Sequence, residues 1–484
     1  MDKPGKNELI QLEIQDIGFE GAGIGKTENN FAVFVPNTVP GDKVTACISR
    51  TRKNYAEAKL IEIKEPSVFR TEPECSHFGT CNGCKMQNIT YRKQLEIKKN
   101  NVLNAFKRIG GFEEVFVPEV ISSKSQFYYR NKLEFSFSSN RWLTEEDIQK
   151  DEADKSFALG FHKPGFIDKV IDINKCHLQS ELSNSILNLT RNFFKSRDIS
   201  IYSTRTNKGF LRFLIVRQSA NLDDILINII TSENNEELIC EYSEYILSNL
   251  KKGTEHNTDF IDSLSIVHSI STAKANVAQA DDYFVIHGKG YLEEKLKDIR
   301  FKISPFSFFQ TNTKQCEILF DTIVKLAEFQ KPDKILDLYC GCGAISLYIS
   351  DKINTVLGVE AIAESINSAN ENAIMNNVTN CEFITYDVKE FLKSVLDGST
   401  KPQRFDTIIL DPPRSGIHPK AADYLLQLEA TKIIYVSCNP TTQARDIRLL
   451  ADKYHITSIQ PVDMFPHTFH IENIVRLDKK NSSF

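Results

Sequence analysis

Residues 334–346 read KILDLYCGCGAIS. Ile335, Leu336 and Leu338 form a short apolar run, the mark of a strand buried on both faces. The run leads into Gly341 and Gly343, and residues 344–350 have the pattern of a helix start. A strand, a glycine turn and a helix let a ligand approach the backbone at the strand's carboxyl end. A second apolar strand, residues 355–359, ends in Glu360. A carboxylate at that offset accepts hydrogen bonds from the two hydroxyls of a ribose. The stretch therefore predicts an α/β domain with a nucleoside site.

A dinucleotide site wants glycine at the third place of G-x-G-x-x-G, and this chain has Ser346 there. Asp337 puts a carboxylate where a pyrophosphate would be repelled. It suits an ammonium group, such as the amino group of S-adenosylmethionine. A glycine turn with no ligand is the alternative. The stretch resembles the first motif of the class I methyltransferases.

The chain's 484 residues exceed a single core and predict two to four domains. The start, MDKPGKNELIQL, has no apolar signal region, and no run is long enough to span a membrane. A soluble, cytoplasmic protein is expected. The net charge of -5 does not advertise a nucleic-acid partner, so any such surface must be local. Eleven cysteines in an intracellular chain favour metal or catalytic chemistry over disulfides.

Residues 1–66 carry short strand-like runs at 9–17, 31–35, 43–49 and 56–63, with GFEGAGIG as a turn-rich link. Close spacing of this kind predicts a small barrel. The GAGIG turn and VPNTVPGDKV resemble the TRAM domain, an OB-like RNA-binding barrel. Arg50, Arg52 and Lys53, with Tyr55 after them, read on charge alone as a solvated loop. The resemblance implies that Arg52 and Lys53 meet an RNA backbone.

The next stretch is CSHFGTCNGCKMQ. Cys75, Cys81 and Cys84 on one loop make a metal or cluster site, which needs a fourth ligand. Cys176, in DINKCHLQ, is the candidate; His77 and His177 are bystanders. The set resembles the 4Fe–4S site of the RNA uracil-C5-methyltransferases that act on 23S rRNA. Zinc is the alternative, because both use four thiolates. Residues 89–109 read as a cationic helix ended by Gly110 and Gly111, solvated or set against RNA or the catalytic domain. FYYRNKLEFSFS resembles the family's Y-R-N-K element, which implies that Arg130, Asn131 and Lys132 face RNA. Arg212 and Arg217 are expected at the surface, and residues 142–155 as an acidic loop. Residues 67–300 thus make an α+β central domain.

Residues 301–484 make the third domain. In ISPFSFFQTN the three phenylalanines read as core, and the resemblance gives Gln310 to the methionine part of the cofactor. Later strands end at Asp387, at Asp411 in DPPRSG and at Cys438 in SCNP. Ligands in open α/β sheets bind beyond such ends. Arg414 after the two prolines, and a cysteine on the next strand, point to carbon as the methyl acceptor. C5 of uracil becomes nucleophilic once a thiolate has added at C6, and a base must then remove the C5 proton.

DLYCGCG, DPPRSG, SCNP and HIEN together resemble the RNA uracil-C5-methyltransferases over nearly the whole chain. The resemblance implies a Rossmann-like class I methyltransferase domain behind the barrel and central domain. It implies Cys438 as nucleophile, Glu472 as general base, and Asp411 orienting substrate or cofactor. It gives S-adenosylmethionine Gln310, Asp337, Tyr339, Gly341, Gly343, Glu360, Asp387 and Asp411, and gives Arg414 an RNA phosphate. The expected activity is methylation of a uridine in 23S rRNA by a monomer. Two other readings compete: the same reaction on the T-arm of tRNA, and an iron–sulfur RNA-binding protein with an inactive transferase domain. Intact Cys438, Glu472 and Asp411 speak against the last.

Overall fold

A computed structural model describes residues 3–18, 21–81, 83–149, 154–253, 259–400 and 404–480. The chain forms two compact units. One comprises Met1–Gln126, Asp321–Tyr339 and Asp387–Phe484; the other comprises Phe127–Phe320 and Cys340–Tyr386.

The first unit begins with a closed barrel of strands Leu9–Ile17, Gly23–Lys26, Ala32–Val35, Tyr55–Glu65 and Lys43–Thr51, in that spatial order. Alternation along each strand turns Leu12, Ile14, Val33, Val35, Val44 and Ile48 into one core. The strand Gly23–Lys26 takes up the end of the stretch read as a link, of which residues 19 and 20 fall outside the described residues. Glycine hides this strand because it has no β propensity. It is needed there: a Cβ on Gly23 would lie 1.9 Å from Thr38 Oγ1.

Residues 67–126 also belong to this unit. Helix Tyr91–Ala105 continues as a π-helical turn, Phe106–Gly110, and Gly111 ends it with φ at 72°. It packs on helix Pro440–Leu450. The unit's sheet runs Lys334–Leu338, Thr407–Leu410, Lys432–Ser437, Glu472–Lys479, Tyr454–Val462. The first three strands are parallel, and the last two antiparallel to their neighbours. Continuous apolar runs make the central strands, as expected for a sheet covered on both faces.

The second unit carries an eight-stranded, mostly antiparallel sheet, with Leu264–Ile270 and Ile225–Thr231 parallel as second and third strands from one edge, and Val170–Asp172 and Arg141–Trp142 parallel at the other. Helices Glu181–Ser196 and Glu236–Gly253 pack on each other and on the sheet through Phe193, Phe194 and Tyr242. This unit also holds the parallel pair Thr355–Glu360 and Cys381–Thr385.

Three expectations change here. Arg212 and Arg217 are buried, each 3% exposed, because their guanidinium groups bond the carbonyls of Ser271, Ala275 and Ser307. Of the three phenylalanines Phe309 is core and Phe306 packs, half-buried, against Phe213, Ile215 and Ile230, but Phe308 is 71% exposed. The acidic stretch 142–155 contains the end of a short strand, Arg141–Trp142, and a helical turn, Glu145–Ile148; residues 150–153 fall outside the described residues.

Candidate active site

In the first unit, three parallel strands end side by side. Leu338 pairs with Leu410, and Leu410 with Tyr435, so Asp411 and Cys438 follow at one edge of the sheet. The returning strand brings the third group. Ser437 pairs with Asn473, so the next residues along, Cys438 and Glu472, emerge at the same end. A buried amide network holds this register. Asn473 Nδ2 donates to Gln443 Oε1 at 2.7 Å, and Gln443 Nε2 donates to the Tyr435 and Asn473 carbonyls.

The loops are tied just as tightly. Asn439 caps helix Pro440–Leu450 by accepting from Thr441 N, and Pro440 begins the helix. Asn439 Nδ2 and Thr442 Oγ1 both donate to Arg414 O at 3.2 Å. Arg414 Nη2 lies 3.4 Å from His470 Nδ1. Asp446, fully buried, accepts from Ile417 N at 2.9 Å and from the Tyr435 hydroxyl at 2.7 Å. Gly416, with φ at 79°, lets that carboxylate approach; a Cβ would meet it at 2.2 Å.

The electrostatics follow from this crowding. Burial, with the charge of Asp337 next, pushes Asp411 up to about 7. Burial and then Asp411 raise Glu472 well above the usual carboxylate range, against the pull of Arg414. Burial and Glu472 push the Cys438 thiol up to about 11, again offset by Arg414. The site therefore holds a thiol that stays protonated near neutral pH, a Glu472 whose acidity is weakened, and an Asp411 that titrates near neutrality. A thiol, two carboxyls held above their usual range and an exposed guanidinium at one strand edge suit nucleophilic addition followed by proton transfer.

Asp337 is fully buried on its strand. Tyr339 takes φ of 64° where that strand ends. Asp387 is exposed and caps helix Val388–Leu396 by accepting from Glu390 N at 3.0 Å.

The second unit carries the glycine turn. Gly341 and Gly343 have φ of 55° and 76°. A Cβ on Gly343 would lie 2.7 Å from the Phe383 ring, whereas one on Gly341 would meet nothing within 4 Å. Gly343 is thus required for packing, and Gly341 leaves its backbone open. Glu360 Oε1 accepts from Ala361 N and Ile362 N at 2.7 and 3.1 Å, which aims its carboxylate. Asn131 spends its side chain inside this unit: its Nδ2 donates to Gln310 O at 2.9 Å and Thr313 Oγ1 at 2.8 Å. It holds the loop of Gln310, while Arg130 and Lys132 are half-buried beside it.

Cys75, Cys81 and Cys84 are partly buried on a turn-rich loop of the first unit, where Gly83 N donates to Cys81 Sγ at 3.5 Å. Burial raises the Cys75 thiol. Cys176 lies in the second unit, its backbone bonded on both sides by Asn184. Among the described residues, no three of His, Cys, Asp or Glu converge as they would around one metal ion. Arg52 and Lys53 are exposed at the barrel's loop.

Sequence reasoning missed the residues that hold this site. Asn473 stood in the quoted HIEN, and its burial beside the glutamate was the available signal. Gln443 and Asp446 gave none, since each works through partners distant in the chain, and the same holds for the buried pair Lys98–Asp463 and for Gln94, which accepts from His467 N on the stretch leading to Glu472.

The family model described as tRNA (uracil-5-)-methyltransferase matches residues 266–480, and that of the TRAM domain matches residues 6–61. An uncharacterised RNA methyltransferase of Chlorobaculum tepidum is 38% identical over 480 residues, covering 98% of this chain and 97% of its own. One from Bacteroides thetaiotaomicron is 38% identical over 463 residues, covering 95% and 99%. The crystal structure of a Pyrococcus abyssi tRNA (uracil-54, C5)-methyltransferase with S-adenosyl-L-homocysteine superposes with TM-score 0.72 at 28% identity, covering 97% of this chain and all of that one.

Proposed function

The chain belongs to the RNA (uracil-C5)-methyltransferases and is an S-adenosylmethionine-dependent enzyme; from that premise we propose that it methylates a uridine of 23S rRNA through a covalent adduct on Cys438. The observation that carries the mechanism is the register of Ser437 with Asn473, which sets Cys438 and Glu472 at one strand edge beside Asp411.

The proton of the Cys438 thiol passes to Asp411, which is ionised in part near neutral pH. Cys438 Sγ then bonds to C6 of the uracil, and the C5–C6 π pair moves onto the ring as an enolate. Arg414 offsets the negative charge that gathers beside the sulfur. S-adenosylmethionine supplies the electrophilic methyl group that C5 takes. Glu472, once ionised, removes the C5 proton; a carboxylate kept from water is a stronger base. That C–H pair re-forms C5=C6 as the C6–S bond breaks, and the thiolate returns to Cys438.

For the cofactor we assign the ribose hydroxyls to Glu360, the amino group to Asp337 and the adenine to Asp387. Gln310, Tyr339, Asp411, Gly341 and Gly343 complete the set. The open backbone at Gly341 and the aimed carboxylate of Glu360 support this assignment. Cys75, Cys81, Cys84 and Cys176 would hold a 4Fe–4S cluster with a structural role, zinc being second. The all-thiol set suits either, and the N–H donated to Cys81 Sγ is of the kind that stabilises a bound thiolate. RNA is gripped at Arg52 and Lys53 of the barrel, at Arg130 and Lys132, and at Arg414.

The cysteine set favours 23S rRNA by its resemblance. The T-arm of tRNA is the second reading, favoured by the solved tRNA enzyme that spans the whole fold. Incubation with methyl-labelled cofactor and separately purified rRNA and tRNA, followed by mapping, decides between them. Label at C5 of one rRNA uridine is the expected result; label confined to tRNA would overturn the rRNA assignment.

A further inference from the structure

In the second unit, strands Lys132–Ser138 and Leu211–Gln218 are antiparallel neighbours, and Lys132 stands directly opposite Arg217. Like charges in that relation repel. Burial sharpens the repulsion: Arg217 is 3% exposed, and its Nε has no hydrogen-bond partner among the described residues. Its Nη2 donates to Ser307 O at 2.5 Å. Arg130 adds a third cation, its Nε donating to Lys132 O at 3.0 Å. Among the described residues that line the cavity the carboxylate is Glu134, paired with Lys132 at 2.5 Å.

Arg130, Lys132, Glu134 and Arg217 line a cavity of about 330 Å³, together with Phe161 and Phe308. Three cations face one carboxylate. A buried cation without a counter-ion is costly to keep, so its retention calls for an anion. Guanidinium groups match the oxygens of a phosphate in pairs. The exposed ring of Phe308 favours a nucleotide over a bare ion.

We propose that this cavity binds a phosphodiester of the RNA substrate, with Arg217, Lys132 and Arg130 supplying the charge. The proposal rests on RNA being the substrate. It gives Arg217, whose Nη2 holds the Ser307 carbonyl, a second role as a binding residue.

The test uses the full chain and a fluorescent oligouridylate of about twelve nucleotides, with binding measured across a salt series. Arg130→Gln and Arg217→Gln should each weaken binding and make the slope of log affinity against log salt shallower by about 0.7 per lost contact. Arg217→Lys should keep the slope. Calorimetry should show wild-type affinity for S-adenosylmethionine in all three. Slopes unchanged in both neutral variants, while the wild type binds RNA, would overturn the pocket and leave the enzyme's function standing. A wild type that binds no RNA would overturn both. Loss of affinity for S-adenosylmethionine instead would mean that its methionine carboxylate occupies the cavity, and would also overturn the proposal. Should Arg217→Gln not fold, Arg130→Gln decides.

Discussion

Replacing Lys98 by methionine tests how the segment leading to Glu472 is held. Lys98 and Asp463 are both fully buried, with Nζ and Oδ1 2.6 Å apart. Lys98 Nζ also donates to Phe465 O at 3.0 Å. Beside them, Gln94 accepts from His467 N, while Lys85 N and Met86 N donate to His467 O. The cysteine loop is thus tied, through the residues that follow it, to the stretch that enters the strand of Glu472. Burial pushes the Lys98 ammonium down in pKa, and Asp463 pulls it back up. Methionine keeps the length of the stem but strands a buried carboxylate. Removing one partner of such a pair costs about 3–5 kcal/mol. Asp463 retains the Tyr91 hydroxyl at 2.8 Å and Phe465 N at 3.2 Å, which places the loss at the lower end. At about 2–4 °C per kcal/mol for a unit of this size, a loss of about 3 kcal/mol lowers the melting midpoint by roughly 6–12 °C. Adding Asp463→Leu removes the stranded charge and should return much of that loss. Calorimetry on the single and double variants reads both effects. At a temperature where both are folded, Lys98→Met should lose kcat with little change in KM for RNA, because the base and not the RNA surface has been loosened. A single variant that melts with the wild type, or a double variant no better than the single, would refute the reasoning.

Three further predictions concern Asp411 and the cysteine set. In the proposed mechanism Asp411, pushed up to about 7, must be ionised to accept the Cys438 proton. Adduct formation should therefore rise with pH through about 7, and Asp411→Asn should abolish the rise. Its folded pKa lies above the unfolded value of 3.8, so stability is lost as pH climbs from about 4 to about 7. Asp411→Asn should then be more stable than wild type near pH 8, by up to about 4 kcal/mol, and not near pH 4. Urea midpoints with the same pH dependence in both proteins would contradict this. Anaerobically purified protein should be brown and contain iron and sulfide, and Cys81→Ser should lose both; a colourless protein with one zinc would favour the alternative.

Much of the architecture was legible because burial on two faces writes continuous apolar runs, as in Lys334–Leu338 and Lys432–Ser437. The places of Asp411 and Cys438 were legible because each follows such a run, whereas Glu472 opens its strand and was singled out only through the resemblance. What escaped was decided by tertiary contact. Arg212 and Arg217 read as surface cations, and only carbonyls far along the chain bury them. Gly23–Lys26 read as a link, since a strand under close backbone approach discards the side chains that would announce it. Asp446 and Lys98 look like ordinary helix charges. Their partners, Tyr435 and Asp463, lie 11 and 365 residues away.

In the proposed mechanism Cys438 adds to the uracil before methyl transfer and Glu472 acts after it. The most direct measurement places Cys438→Ala and Glu472→Gln, each with methyl-labelled cofactor and RNA, on one denaturing gel. Cys438→Ala should bind RNA yet give neither adduct nor methylated product. Glu472→Gln should methylate and then stall, giving a slow band of protein joined to RNA that carries the label. Methylation by Cys438→Ala, or normal turnover by Glu472→Gln with no such band, would contradict the account.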